Sequence, residues 1–196
     1  MSEILLNDID TYLINLPRDK QRLESAKETL LRINQDHQIV NGVEHQQGIV
    51  GCGLAHLNIF DTYKPRCLVL EDDIRLTENV LESIDIPEDA DAIYLGVSNH
   101  GYVRRRPVGI KDSVMCSRWD INYKRVLNMC STHAIIYLTD RYWQACRKAV
   151  AECLQAGIAF DLGLASIHRH FNILTPNNPM FFQAGQSEHT NMSLEV

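Results

Sequence analysis

Three consecutive carboxylates, Glu71-Asp72-Asp73, follow directly on the apolar run Cys67-Leu68-Val69-Leu70. The run is short and continuous, the pattern of a strand buried on both faces of a parallel sheet. Ligands of open α/β sheets sit beyond the carboxyl ends of the strands. The three acids are therefore expected at a ligand edge. Three anions in a half-dry site repel one another. A divalent cation relieves that repulsion, and hard oxygen donors favour Mg²⁺ or Mn²⁺. The competing reading is that Asp72 and Asp73 cap the next element in a solvated loop. This stretch alone leaves both open.

Other residue types invite chemistry. Cys52 and His56 are spaced i, i+4 and would share a helix face. Two such groups do not make a structural zinc site, and no second pair lies nearby in sequence. A buried, hydrogen-bonded histidine is the preferred reading of His56. Arg18 and Arg22 lie just beyond the first apolar run, where a planar guanidinium could meet an anionic ligand; a solvated helix face is the alternative. Asp161, in the phrase Ala159-Phe160-Asp161-Leu162-Gly163, reads by itself as a helix N-cap. Arg104-Arg105-Arg106 is read as solvated loop charge.

The elements that must position these groups are legible from periodicity. Thr11–Leu16 reads as a strand, Asp19–Asn34 as an amphipathic helix, and His37–Val43 as a second strand, which together make a β-α-β unit. Gly48–Gly53 reads as a glycine-rich turn opening a helix to about Tyr63. Cys67–Leu70 is the third strand. Glu78 to about Ile84 is expected as a short helix after Thr77, and Ala92–Leu95 as a fourth buried strand. Residues 98–123 form a long irregular loop. Val126–Met129 and Ala134–Leu138 are expected as strands that could form a hairpin. Thr139-Asp140 caps a helix to Gln155, with Gly157 beyond its end. A helical turn near 161–167 and a strand-like Phe171–Leu174 follow, then Pro176, Pro179 and Met180-Phe181-Phe182-Gln183, and the last dozen residues are polar.

The bulk numbers set limits. At 196 residues, one domain with a substantial core is the simplest expectation. A net charge of −6 argues against general nucleic-acid binding. The amino terminus lacks a basic n-region, and no stretch reads as a signal peptide or transmembrane span. Six cysteines without a C-x-x-C pair read as reduced core thiols in a cytoplasmic protein.

Four pieces then line up in order: Ile14-Asn15-Leu16 with Arg18 and Arg22; Gly51-Cys52 with His56; Leu70-Glu71-Asp72-Asp73; and Gln183 with Ser187. In that order and spacing the chain resembles glycosyltransferase family 25, the group of bacterial lipopolysaccharide-type glycosyltransferases and collagen galactosyltransferases. Ala55 stands where that family usually has serine. The resemblance implies a GT-A-like (Rossmann-like) α/β fold over residues 1–196, with a mixed, mainly parallel sheet flanked by helices. It implies an inverting transfer from a nucleotide-diphospho-sugar donor, usually UDP-linked, to a glycan or other hydroxylated acceptor, with Mn²⁺ or Mg²⁺ at the acids.

On that footing Asp73 is the first choice as direct metal ligand and Asp72 the second, with Asp72 also counted as catalytic. Glu71 would orient a ribose or sugar hydroxyl. Asn15, Leu16, Arg18, Arg22 and His56 would line the donor site, Arg18 ahead of Arg22. Asp161 falls where the family has an aspartate in a similar phrase and would bind the acceptor or take its proton. Some enzymes of this fold use a late histidine as a further metal ligand, which makes His189 a candidate. Two rival readings are a non-catalytic nucleotide-sugar-binding or scaffold protein, and a phosphoacceptor signalling domain. In the latter the acid cluster follows the first strand, whereas here it follows the third.

Overall fold

The computed structural model describes residues 2–98, 100–101 and 114–184. The opening β-α-β unit consists of β2 (Asp10–Asn15), α1 (Lys20–Leu31) and β3 (Gln38–Asn41), preceded by a short β1 (Ser2–Leu5). Helix α2 (Gly48–Thr62) leads into β4 (Cys67–Glu71) and β5 (Ile74–Leu76). Strands β6 (Ser83–Ile86), β7 (Ala92–Tyr94), β8 (Met115–Arg118), β9 (Tyr123–Asn128) and β10 (Ala134–Tyr137) follow. Helices α3 (Asp140–Ala156) and α4 (Phe160–Ile167), then β11 (Ile173–Pro176) and β12 (Phe181–Gln183), end the described part.

The central sheet runs β3-β2-β4-β10-β7-β11-β9-β8. Six of its eight strands point the same way; β10 and β9 run against them. The sheet is thus mixed and mainly parallel in direction. Strand β4 lies near its centre, and Cys67–Leu70 are at most 1% exposed. Burial on both faces is why this run carries no polar residue.

Side chains alternate between the two faces of a strand, and each face has its own core. Tyr12, Ile14, Val69, Tyr94, Ile135 and Tyr137 face α2, α3 and α4. Leu13, Leu68, Leu70, Ile93 and Ile136 face α1 and two small sheets, β1-β6 and β12-β5. Helix α3 shows how local sequence fixes an element. Thr139 caps it by accepting from the Tyr142 N–H, and its buried stripe is Tyr142, Trp143, Cys146, Ala149, Val150 and Cys153.

Several expectations are corrected. Residues 78–82 are not helical, and Ser83–Ile86 is a strand paired antiparallel with β1. Ile84-Asp85-Ile86 has the period-two alternation of a strand, and pairing with β1 outweighs the weak helical pattern before it. Strands β9 and β10 are no hairpin: β7 and β11 lie between them in the sheet. Gly48–Gly53 is not a turn before a helix but the first turns of α2 itself. Within the expected irregular stretch 98–123, Met115–Arg118 forms the edge strand β8.

Candidate active site

Parallel pairing of β2 and β4 in the register Ile14↔Glu71 brings the next residues, Asn15 and Asp72, to the same sheet edge. Antiparallel β10 starts at that edge, with Ala134 opposite Leu70, so Ser131, Thr132 and His133 arrive there too. A cleft of about 290 Å³ opens at this edge. Asn15, Leu16, Arg18 and Arg22 form one side, Gly48, Gly51 and Cys52 of α2 another, and Glu71, Asp72 and Asp73 the floor. A larger cavity of about 410 Å³ lies at the opposite end of the strands, next to Arg66 before β4 and Leu138 after β10; Ile4, Ile9 and Ile86 also line it. Size and chemistry therefore part company, and the polar cleft is the one with convergent functional groups.

Close approach shapes the cleft wall. A Cβ on Gly51 would lie 2.3 Å from the Val43 carbonyl oxygen, so only glycine lets the start of α2 pack against the segment after β3. A Cβ on Gly96 would lie 2.0 Å from His133 Nε2, so the ring of His133 occupies the space a side chain would need.

The three acids sit in different surroundings. Glu71 Oε1 accepts from Thr132 Oγ1 at 2.5 Å and pairs with His56 Nε2 at 3.1 Å. Burial alone would raise this carboxyl, but the hydrogen bond and charge of His56 and the bond from Thr132 outweigh it and bring it to about 2. Asp72 Oδ2 accepts from Asn15 Nδ2 at 2.6 Å, and its Oδ1 pairs with Arg22. Burial still holds Asp72 above the usual range. Asp73 Oδ2 accepts from Gln183 Nε2 at 2.9 Å and meets the same Arg22 at 3.1 Å. Asp73 Oδ1 is buried and has no hydrogen-bond partner among the described residues. Burial and the Glu71 charge push Asp73 up to about 6.

Every sequence-identified residue within the described part can now be placed. Asn15 is buried, and Leu16 lines the cleft. Arg18 precedes α1 rather than lying on its first turn; it is largely exposed and reaches Glu44 at 3.8 Å. Arg22, ranked behind it, is the arginine that grips the acids. His56 is fully buried and stands behind Glu71. Asp161 is in the first turn of α4, where its Oδ1 accepts from the Leu162 N–H at 2.9 Å. The cap position there is Ala159, so the cap reading of Asp161 does not hold. Burial raises the Asp161 carboxyl, and the Glu71 charge adds to that; Asp161 itself does not line the cleft. His189 and Ser187, and the arginines 104–106, lie outside the described residues.

Sequence reasoning missed Ser131, Thr132 and His133. Ser131 Oγ and His133 Nδ1 are 2.8 Å apart, and Thr132 fixes Glu71. The available signal was three polar residues set directly before the apolar strand Ala134–Tyr137, which reads equally as an ordinary turn.

The residues present fit a hard divalent cation. Asp73 offers a buried, unengaged oxygen, its charge is poorly compensated, and Arg22 already holds a positive charge between Asp72 and Asp73.

No protein-family model and no curated protein matches the chain. Among solved structures, the chain is similar to the CTP:phosphocholine cytidylyltransferase LicC of Streptococcus pneumoniae, with a TM-score of 0.41 and 7% identity over 89% of this chain and 92% of that one. At that level of likeness the activity of the pneumococcal enzyme says nothing of this chain's. No helix among the described residues is long and apolar enough to cross a membrane, and none of the six cysteines, all within the described residues, is in a disulfide.

Proposed function

We propose that this chain is a glycosyltransferase of GT-A type, related to family 25. It would transfer a sugar, with inversion, from a nucleotide-diphospho-sugar, UDP-linked by preference, to an acceptor hydroxyl with the help of Mn²⁺ or Mg²⁺. One observation carries the reading: the acid triplet floors a polar cleft at the carboxyl ends of parallel strands, with Asp73 Oδ1 buried and without a hydrogen-bond partner among the described residues.

In this reading Asp73 holds the ion, with Asp72 beside it. The bound ion neutralises charge on the departing diphosphate. Asn15 fixes the rotamer of Asp72, and Gln183 that of Asp73. Arg22, which pairs with Asp72 and Asp73, would release these acids to a bound cation. Its fork is then free for phosphate oxygens, as is that of the exposed Arg18. The start of α2, where Gln47 makes no side-chain cap, offers backbone N–H groups to the same anion. Glu71, held by His56 and Thr132, keeps its charge at any physiological pH and accepts a ribose or sugar hydroxyl. Asp161, whose carboxyl burial has made more basic, takes the proton of the acceptor hydroxyl.

The test is a thermal-shift screen of nucleotide-sugars with and without Mn²⁺, since ligands that bind only the folded state raise the melting temperature. A UDP-sugar that stabilises the chain only with the metal is expected. No shift with any nucleotide-sugar under either condition overturns the reading. Metal-dependent binding without release of UDP would instead identify a binding module.

A further inference from the structure

Behind the acid floor lies a second group of ligating atoms of different chemistry. One atom each from Cys52, His56 and Glu71 lie within 4.8 Å of one another. Cys52 and His56 are one turn apart on α2, and Glu71 ends β4, so two rigid elements set the geometry. His56 Nε2 and Glu71 Oε1 are 3.1 Å apart. That is near the about 3.3 Å edge of a tetrahedron built with bonds of about 2.0–2.1 Å to nitrogen and oxygen. Cys52 is half-buried and lines the cleft together with Glu71, so an ion has a route in and a fourth position facing solvent. The other ring nitrogen of His56, Nδ1, is buried with no partner among the described residues, so its ring is oriented from the Nε2 side alone.

We propose that Cys52, His56 and Glu71 form a second cation site, selective for zinc-like ions over Mg²⁺ and Mn²⁺. The donors decide the selectivity. A sulfur and an imidazole nitrogen favour zinc and cobalt, whereas the neighbouring Asp73 offers only hard oxygen. Three protein ligands with one open position is the pattern of an accessible rather than a structural zinc site. Binding needs the thiol proton to leave to solvent and the Glu71–His56 pair to exchange its mutual contact for the ion. Burial first, and then the carboxylates of Glu71, Asp73, Asp161 and Asp72, hold the Cys52 thiol well above its usual range, a cost that a bound ion must offset; the same carboxylates attract a cation to this spot. The site stands independently of the sugar-transfer reading. An occupant would take Glu71 from the cleft and so compete with any ligand that Glu71 binds.

The experiment is a Co²⁺ titration of the full reduced chain, read by absorption. Tetrahedral cobalt with one sulfur ligand gives intense visible bands and a thiolate-to-metal band in the near ultraviolet. One equivalent of Co²⁺ giving both is expected, displaced by Zn²⁺ but not by excess Mg²⁺. Cys52→Ser removes the ultraviolet band. Because loss of groups that merely orient a ligand costs about 10–100-fold, loss of Cys52 itself should weaken Co²⁺ by at least about 100-fold. His56→Gln, with a cooperative melt as the check on folding, gives a second loss of comparable size. Absence of the ultraviolet band in the parent chain overturns the proposal. So does its persistence in Cys52→Ser, or displacement of cobalt by Mg²⁺.

Discussion

Glu71 and Asp73 are two residues apart, both largely buried, and electrostatically opposite. Glu71 is surrounded by donors, with His56 behind and Thr132 beside it, and its charged form is favoured. Asp73 has one oxygen shared between Gln183 and Arg22 and another with no hydrogen-bond partner among the described residues, and its charged form is disfavoured. An acid that folding has already satisfied serves to position something. An acid that folding has left wanting a cation serves to bind one. The difference comes from neighbours on other elements: α2 and the segment before β10 supply Glu71, whereas Asp73 follows the end of β4 and faces the open cleft.

The contrast can be broken most sharply at Asp73. Asp73→Asn is expected to lower Mn²⁺ affinity by about 100-fold, since a ligand is lost outright, measured by calorimetric titration. The same change should raise metal-free stability at pH 7 by about 2 kcal/mol, because one pKa unit corresponds to about 1.4 kcal/mol and the charge no longer has to be buried. A destabilised Asp73→Asn would refute the idea of an unsatisfied anion.

Glu71→Gln should do the reverse, costing about 2–3 kcal/mol in urea unfolding at pH 7. The pH dependence separates the two acids. The Glu71 carboxyl is held below its unfolded range, so its contribution is present above about pH 4.5 and is lost as pH falls through about 2. The Asp73 carboxyl is held above its range. Its ionisation therefore lowers stability as pH rises from about 4 through about 6, and Mn²⁺ should reverse that trend.

Arg22→Gln tests the release of the acids by Arg22. Mn²⁺ should bind roughly threefold to tenfold more tightly once a competing charge is gone, and UDP more weakly by a similar factor, for a coupling of about 1 kcal/mol. Parallel loss of both affinities would contradict displacement. A last test is structural. Gly96→Ala must move the His133 ring and should cost about 1–3 kcal/mol in thermal unfolding, with the Glu71 side disturbed and Mn²⁺ binding at Asp73 preserved.

Much of this was readable along the chain. The continuous apolar runs of β4 and β2 and the capped, periodic stripe of α3 are each local signals, so their type and position follow from local sequence. The failures were also local. Residues 78–84 have too few positions to establish a period, and β9 and β10 look like hairpin partners because nothing in their sequence says that β7 and β11 intervene. At the site, the acids were found from their clustering. Thr132 and His133 were not, because their part depends on which strand lies beside β4. Arg18 was placed ahead of Arg22, although Arg22 is the one that pairs with Asp72, because charge and spacing do not tell which guanidinium reaches across.

By itself the sequence determined the elements, the buried run and the crowding of three anions at its end, since covalent neighbours and side-chain periodicity settle these. Only the tertiary structure decided which anion is satisfied and which is left open. That depends on donors brought from residues 15, 22, 56, 132 and 183, distant in the chain, and on how much water their packing excludes. Proton and cation affinities follow from desolvation and from charges a few ångströms away, and no local pattern records those.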